Sequence, residues 1–148
     1  MKFEKLKALY DLPLFDLIKK SREVHDANWI DNEIQLCTLL SIKTGGCSED
    51  CSYCAQSARY KSGVESEKLM EKEDVMARAR VAAESGSTRF CMGAAWKGVR
   101  SGTKRFDQVV EIIEDVSELG MEVCVTLGEV GPAEAVRLKK AGVTAYNH

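Results

Sequence analysis

Apolar and polar positions follow two different periods along this chain, and the switches between them mark its elements. In the first thirty residues Leu6, Leu9 and Tyr10, then Leu14, Leu17 and Ile18, recur at helical spacing, with Pro13 interrupting. Two helical segments are expected, with Asp11 able to cap the second and Pro13 in its first turn. Glu33 to Ile42 is mostly apolar and holds β-branched residues, which suits a strand buried on both faces. A loop rich in Gly, Cys and Ser runs from Lys43 to about Gly63. Glu71 to Glu84 returns to a helical pattern, with Val75, Ala79, Ala82 and Ala83 on the apolar side. Thr88 to Met92 predicts a second strand and Gly93 to Gly102 a loop. Phe106 to Leu119 predicts an amphipathic helix through Val109, Val110, Ile113 and Val116, ended by Gly120. Glu122 to Leu127 predicts a third strand and Gly128 to Gly131 a loop. Pro132 to Ala141 predicts a helix with proline at its start, closed by Gly142, and Val143 to Tyr146 begins a fourth strand.

Strands alternating with helices predict an α/β fold with a parallel sheet and crossover helices. An open doubly wound sheet and part of a TIM-type (β/α) barrel both fit. Residues with reactive side chains fall at or after the C-terminal ends of successive strands, which favours the barrel. A full barrel usually needs roughly 250 residues, and this sequence has 148. The expected organisation is an N-terminal helical extension over residues 1–32 and a partial barrel domain over residues 33–148, cut at strand four. The last strand would then carry an unpaired edge.

A net charge of −2 and a hydrophobic content of 45% suit one ordinarily folded soluble domain, with no charge block that would attract nucleic acid. The longest apolar stretches, such as Ile34 to Ile42, are too short to cross a membrane. Met1 to Tyr10 lacks the apolar centre of a signal peptide, so the expected compartment is the cytoplasm or an equivalent reducing space. Composition adds one thing that periodicity does not: six cysteines, at 37, 47, 51, 54, 91 and 124. Without a signal peptide, metal or redox chemistry explains them better than a disulfide framework.

Three of them stand in Thr44-Gly-Gly-Cys47-Ser-Glu-Asp-Cys51-Ser-Tyr-Cys54, a C-x3-C-x2-C spacing straight after the first strand. Three thiolates in a turn-rich loop can converge on one metal centre, and soft thiolates select iron–sulfur clusters, zinc or Cu(I). A cubane cluster has four irons, so three cysteines leave one iron open to the amino and carboxylate groups of S-adenosylmethionine (SAM). A structural zinc module is the competing possibility, but it commonly takes four protein ligands, often as two pairs. There is no second pair here, and the only histidines are His25 and His148. A redox C-x2-C pair is a further alternative. Tyr53, between two ligands, either packs on the barrel or forms a wall beside the cofactor's adenine.

The C-x3-C-x2-C loop with an aromatic before its last cysteine resembles radical SAM enzymes. The longer string Gln35 to Tyr60 resembles the biotin synthase family among them. So do Arg89 to Trp96, Cys124 to Gly128 and Ala145 to His148. The resemblance runs from about Leu6 to the last residue. It implies a TIM-type barrel and a homodimer in the full-length form. It also implies a sulfurtransferase that inserts sulfur into dethiobiotin to make biotin through a 5′-deoxyadenosyl radical. The implied cofactors are a 4Fe–4S cluster, SAM and a 2Fe–2S cluster as sulfur donor, with an electron donor such as flavodoxin or ferredoxin. By this resemblance Cys47, Cys51 and Cys54 are the 4Fe–4S ligands, and Cys91 and Cys124 are two of the 2Fe–2S ligands. Met92 to Ala95 takes the place that holds the methionyl part of SAM, with Gly93 and Ala94 allowing close main-chain approach. Asn147 matches a substrate-side asparagine. The remaining 2Fe–2S ligands have no counterpart here, so residues 1–148 alone are expected to form no biotin.

The other residues have plainer expectations. Cys37 reads as a small buried strand residue. Lys43 and Arg89 need partners, either a cluster sulfide or carboxylate or an ordinary Glu or Asp. Arg59 and Tyr60 either pack the cysteine loop or cover its outer side, and Trp96 either shields the site or packs. Glu129 and His25 read as solvated side chains, and Lys97 to Arg105 as a solvated basic connection without a P-loop pattern.

Overall fold

The computed structural model describes residues 2–29 and 33–148. The chain divides into two compact units, residues 1–34 and 35–148. The first holds helix α1 (Phe3–Tyr10) and helix α2 (Leu14–Asn28), neither of which has a buried residue. Asp11 does not cap α2. It ends α1, where it pairs with Lys7, while Pro13 occupies the position before α2 with extended backbone. A proline there presets the φ angle and needs no side-chain acceptor in front of it.

The second unit is β1 (Cys37–Lys43), α3 (Lys72–Glu84), β2 (Arg89–Ala94), α4 (Lys104–Glu118), β3 (Glu122–Thr126), α5 (Pro132–Lys140) and β4 (Val143–Tyr146). The strands form one sheet in the order β1-β2-β3-β4, each parallel to its neighbour. That order bears out the barrel that the sequence favoured over an open doubly wound sheet. A doubly wound sheet reverses direction at a switch point, whereas consecutive right-handed crossovers in one direction build a segment of a TIM-type barrel and set every helix on one face.

The helix-covered face is the core. Phe90 and Met92 of β2, Val123 and Val125 of β3, and Phe106, Val109, Ile112, Ile113 and Val116 of α4 are all buried. The opposite face is a set of aligned rows. Cys37, Arg89 and Glu122 form the first, Leu39, Cys91 and Cys124 the second, and Ser41, Gly93 and Thr126 the third. This face is largely open: Leu39 is 74% exposed. Strand β1 is therefore not buried on both faces, and Cys37 is exposed, not buried. Both expectations assumed a cover over this face, and no helix of residues 35–148 supplies one over β1. Gly93 and Ala94, expected in a loop, complete β2, because Ser41 and Lys43 pair with them across a small irregularity in β1.

Candidate functional site

The segment after β1 crosses the C-terminal edge of the sheet as an irregular loop from Thr44 to Glu71. Two glycines start it in left-handed conformation, with φ of 66° at Gly45 and 64° at Gly46. A Cβ on Gly45 would stand 2.3 Å from the carbonyl oxygen of Glu65, so the returning arm of the loop lies directly against it. The amide of Gly45 donates to Gln56 Oε1 at 2.8 Å. Cys47 is bridged to the strand-like stretch at Ser57: its amide donates to the Gln56 carbonyl at 2.9 Å, and Ala58 donates back to Cys47 at 2.8 Å. Cys51 and Cys54 close a turn through the Cys54 amide and the Cys51 carbonyl at 2.9 Å.

This loop faces the ends of β2 and β3 across a cleft of about 380 Å³. Cys47, Cys51, Cys54 and Tyr53 line one side, Gly93, Ala94, Ala95 and Trp96 another, and Thr126 and Gly128 the end of β3. Gly93 has nothing within 4 Å of the position a Cβ would take, so its backbone stands open for a ligand's approach. Tyr53 is 90% exposed at the edge of the cleft. The three thiols share the cleft but are not drawn to one point. Among the described residues, no three His, Cys, Asp or Glu side chains come together as a metal-holding group. The donor chemistry nevertheless fits a thiophilic cluster: three free thiols opening on one cleft, on a loop whose backbone is fixed at both flanks.

The middle row of the open face holds a second thiol pair. Cys91 and Cys124 are register partners on adjacent strands. Burial and the neighbouring Cys124 thiol push Cys91 up to about 11. Asn147, just past β4, donates its side-chain amide to Cys124 Sγ at 3.3 Å, and its backbone amide bonds to Val125 at 3.0 Å. The structure thus brings Asn147 to this pair of thiols. Two adjacent thiols on one face suit two of the ligands of a two-iron cluster.

The charged neighbours resolve differently from expectation in one case. Among the described residues Lys43 meets no carboxylate. Its ammonium donates to the carbonyls of Gly45 and Ala95, stapling the loop's start to the end of β2. Arg89 has the ordinary partner: Nε bonds Glu122 Oε2 at 2.8 Å, and that guanidinium, with Gln35, holds the Glu122 carboxyl below its usual range. Tyr60 donates to Asp50 at 2.5 Å within the loop, and Trp96 lines the cleft while Arg105 stacks on its ring at 5.1 Å. Glu129 is exposed, 4.0 Å from Arg100. His25 is half-buried beside Asp26. The connection from Lys97 to Arg105 is more tied down than a solvated loop, for Val99 within it is fully buried.

Sequence reasoning passed over Leu39, Ser41, Glu49, Gln56, Thr126 and His148, all of which line the cleft. Alternation in step with Cys91 and Cys124 would have found Leu39, Ser41 and Thr126. The rest depend on how the loop folds back.

Residues 41–148 match the radical SAM superfamily. The chain is 57% identical over 143 residues to a biotin synthase of Myxococcus xanthus, covering 97% of this chain and 41% of that one. It is 52% identical over 145 residues to the mitochondrial biotin synthase of Arabidopsis thaliana, covering 98% and 38%. The biotin synthase of Francisella philomiragia is 50% identical over 148 residues, covering 100% and 46%. The chain spans about two fifths of the length of these curated relatives. A crystal structure of methylornithine synthase shares the fold, with a TM-score of 0.75 at 16% identity over 97% of this chain and 42% of that one. No helix among the described residues is long and apolar enough to cross a membrane.

Proposed function

Because the chain belongs to the radical SAM superfamily, we propose that it is the part of a biotin synthase that carries the SAM-cleaving site, in an enzyme that converts dethiobiotin to biotin by inserting sulfur. The observation that carries this is the placement of Cys47, Cys51 and Cys54 on one cleft with the bare backbone of Gly93 and Ala94. The identities of 50–57% to biotin synthases support the substrate. A 4Fe–4S cluster held by the three thiols would supply the single electron that cleaves SAM. Gly93 and Ala94 take the main chain to the methionyl part of SAM, and Tyr53 bounds the adenine side. Cys91 and Cys124 hold one side of a 2Fe–2S cluster that would supply the sulfur atom. Asn147 stands beside Cys124, where it orients that sulfur and meets the substrate's polar end. The electron comes from a small reductant such as flavodoxin or ferredoxin, and the full-length form is a homodimer. Free thiols in this number suit a reducing compartment such as the cytoplasm.

Anaerobic reconstitution with iron and sulfide, followed by EPR of the reduced chain, tests the assignment. A 4Fe–4S signal that changes when SAM is added is expected, and Cys51→Ala abolishes it. Stoichiometric zinc without iron, or a signal that survives Cys51→Ala, would sink the proposal in favour of a structural zinc module.

A further inference from the structure

One charged contact crosses the rim of the cleft and is not among the proposed cluster and SAM contacts. Glu49 lies between Cys47 and Cys51, and its Oε1 accepts from Lys97 Nζ at 2.7 Å. Lys97 directly follows Trp96, so the pair joins the ligand-bearing turn to the segment leaving β2. Among the described residues, no other ion pair joins residues 47–54 to a neighbouring loop: Arg59 and Asp50 pair within the cysteine loop at 4.0 Å. The staple made by Lys43 reaches only Gly45, ahead of the first cysteine.

An exposed ion pair usually contributes little, because fixing two long side chains costs as much as the attraction returns. Here both backbones are already fixed. The carbonyl of Glu49 accepts from Ser57 Oγ at 2.5 Å, and Ser57 is 5% exposed. The carbonyl of Lys97 accepts from the Glu129 amide at 2.8 Å, and Val99 two residues later is fully buried. The two side chains therefore extend from anchored platforms, one on each side of the cleft. We propose that Glu49 and Lys97 form a latch that positions the three-cysteine turn over the end of β2. Both are positioning residues, and the proposal rests on the cluster-holding role of that turn.

Two readouts on Glu49→Gln, Lys97→Gln, the double variant and the swapped Glu49→Lys/Lys97→Glu chain test it. In the cluster-free chain, chymotrypsin cleavage at Tyr60, whose hydroxyl donates to Asp50 of the turn, reports opening of the turn. Each single variant is expected to be cut roughly two- to five-fold faster, and the double variant no faster than the singles. The swapped chain returns towards wild type, and high salt speeds cutting of wild type but not of Glu49→Gln. In the reconstituted chain, iron release to a chelator follows the same order. Wild-type cleavage in the single variants, additive effects in the double, or no recovery on swapping overturns the latch. A chain that takes up no iron but keeps the cleavage pattern overturns the cluster assignment and leaves the latch standing.

Discussion

At Gly128 the absence of a side chain lets two loops touch. Its φ is +77°, and a Cβ there would lie 2.4 Å from the carbonyl oxygens of both Trp96 and Lys97. Gly128→Ala would meet a left-handed backbone and a backbone clash together, so a loss of about 2–4 kcal/mol is expected. Urea unfolding measures it, and an unchanged midpoint would mean that the two loops part freely. Single residues were also where sequence reasoning was least secure. The spacing of Cys47, Cys51 and Cys54 announces a thiophilic site without any coordinates. The partner of Lys43, by contrast, is two carbonyls from segments fifty residues apart, and nothing local encodes that. Cys37 was expected inside because cysteine is usually buried. Its exposure depends on what lies over β1, which is a property of distant chain.

Glu134 shows how one side chain joins elements. It stands in the first turn of α5, where Oε2 accepts the amide of Gly131 at 3.1 Å and Oε1 accepts the amide of Ser101 at 2.7 Å. The first bond caps α5 and the second holds the loop that leads into α4. The Ser101 amide, foremost, brings the carboxyl down from an ordinary 4.5 to about 2. A depressed carboxyl stabilises the fold above its unfolded value, and that contribution fades as pH falls from about 4.5 towards 2. Thermal melts across that range should show wild type losing stability more steeply than Glu134→Gln; parallel curves would refute the role. Phe90→Ala in β2 removes a fully buried ring from the core and should cost about 3–5 kcal/mol by denaturant unfolding. Helices were legible because Val109, Val110, Ile113 and Val116 repeat at helical spacing, and all four are buried. The end of β2 was not, because Gly93 and Ala94 carry little strand propensity and owe their strand geometry to pairing with β1.

For the molecule as a whole, the order of the strands decides more than any one of them. Alternation of strands and helices predicted a parallel sheet, and reactive residues at the strand ends favoured the barrel over the open sheet; the sequential pairing bears that out. One face is covered by helices, and the opposite face is open along β1, where Leu39 is exposed, although Cys124 on it is buried. A radical formed beside an open face would be quenched by solvent. Residues 1–148, loaded with iron, sulfide and SAM, should therefore cleave SAM at most and form no biotin from dethiobiotin. Product analysis by mass spectrometry measures this, and turnover would show that the open face suffices. The same strand order bears on how the chain is made. Each of β2, β3 and β4 pairs with the strand synthesised just before it. Each later β/α unit can dock on its predecessor while the next is still being translated, and once β1 and β2 have paired neither β3 nor β4 waits for a later partner before it joins the sheet.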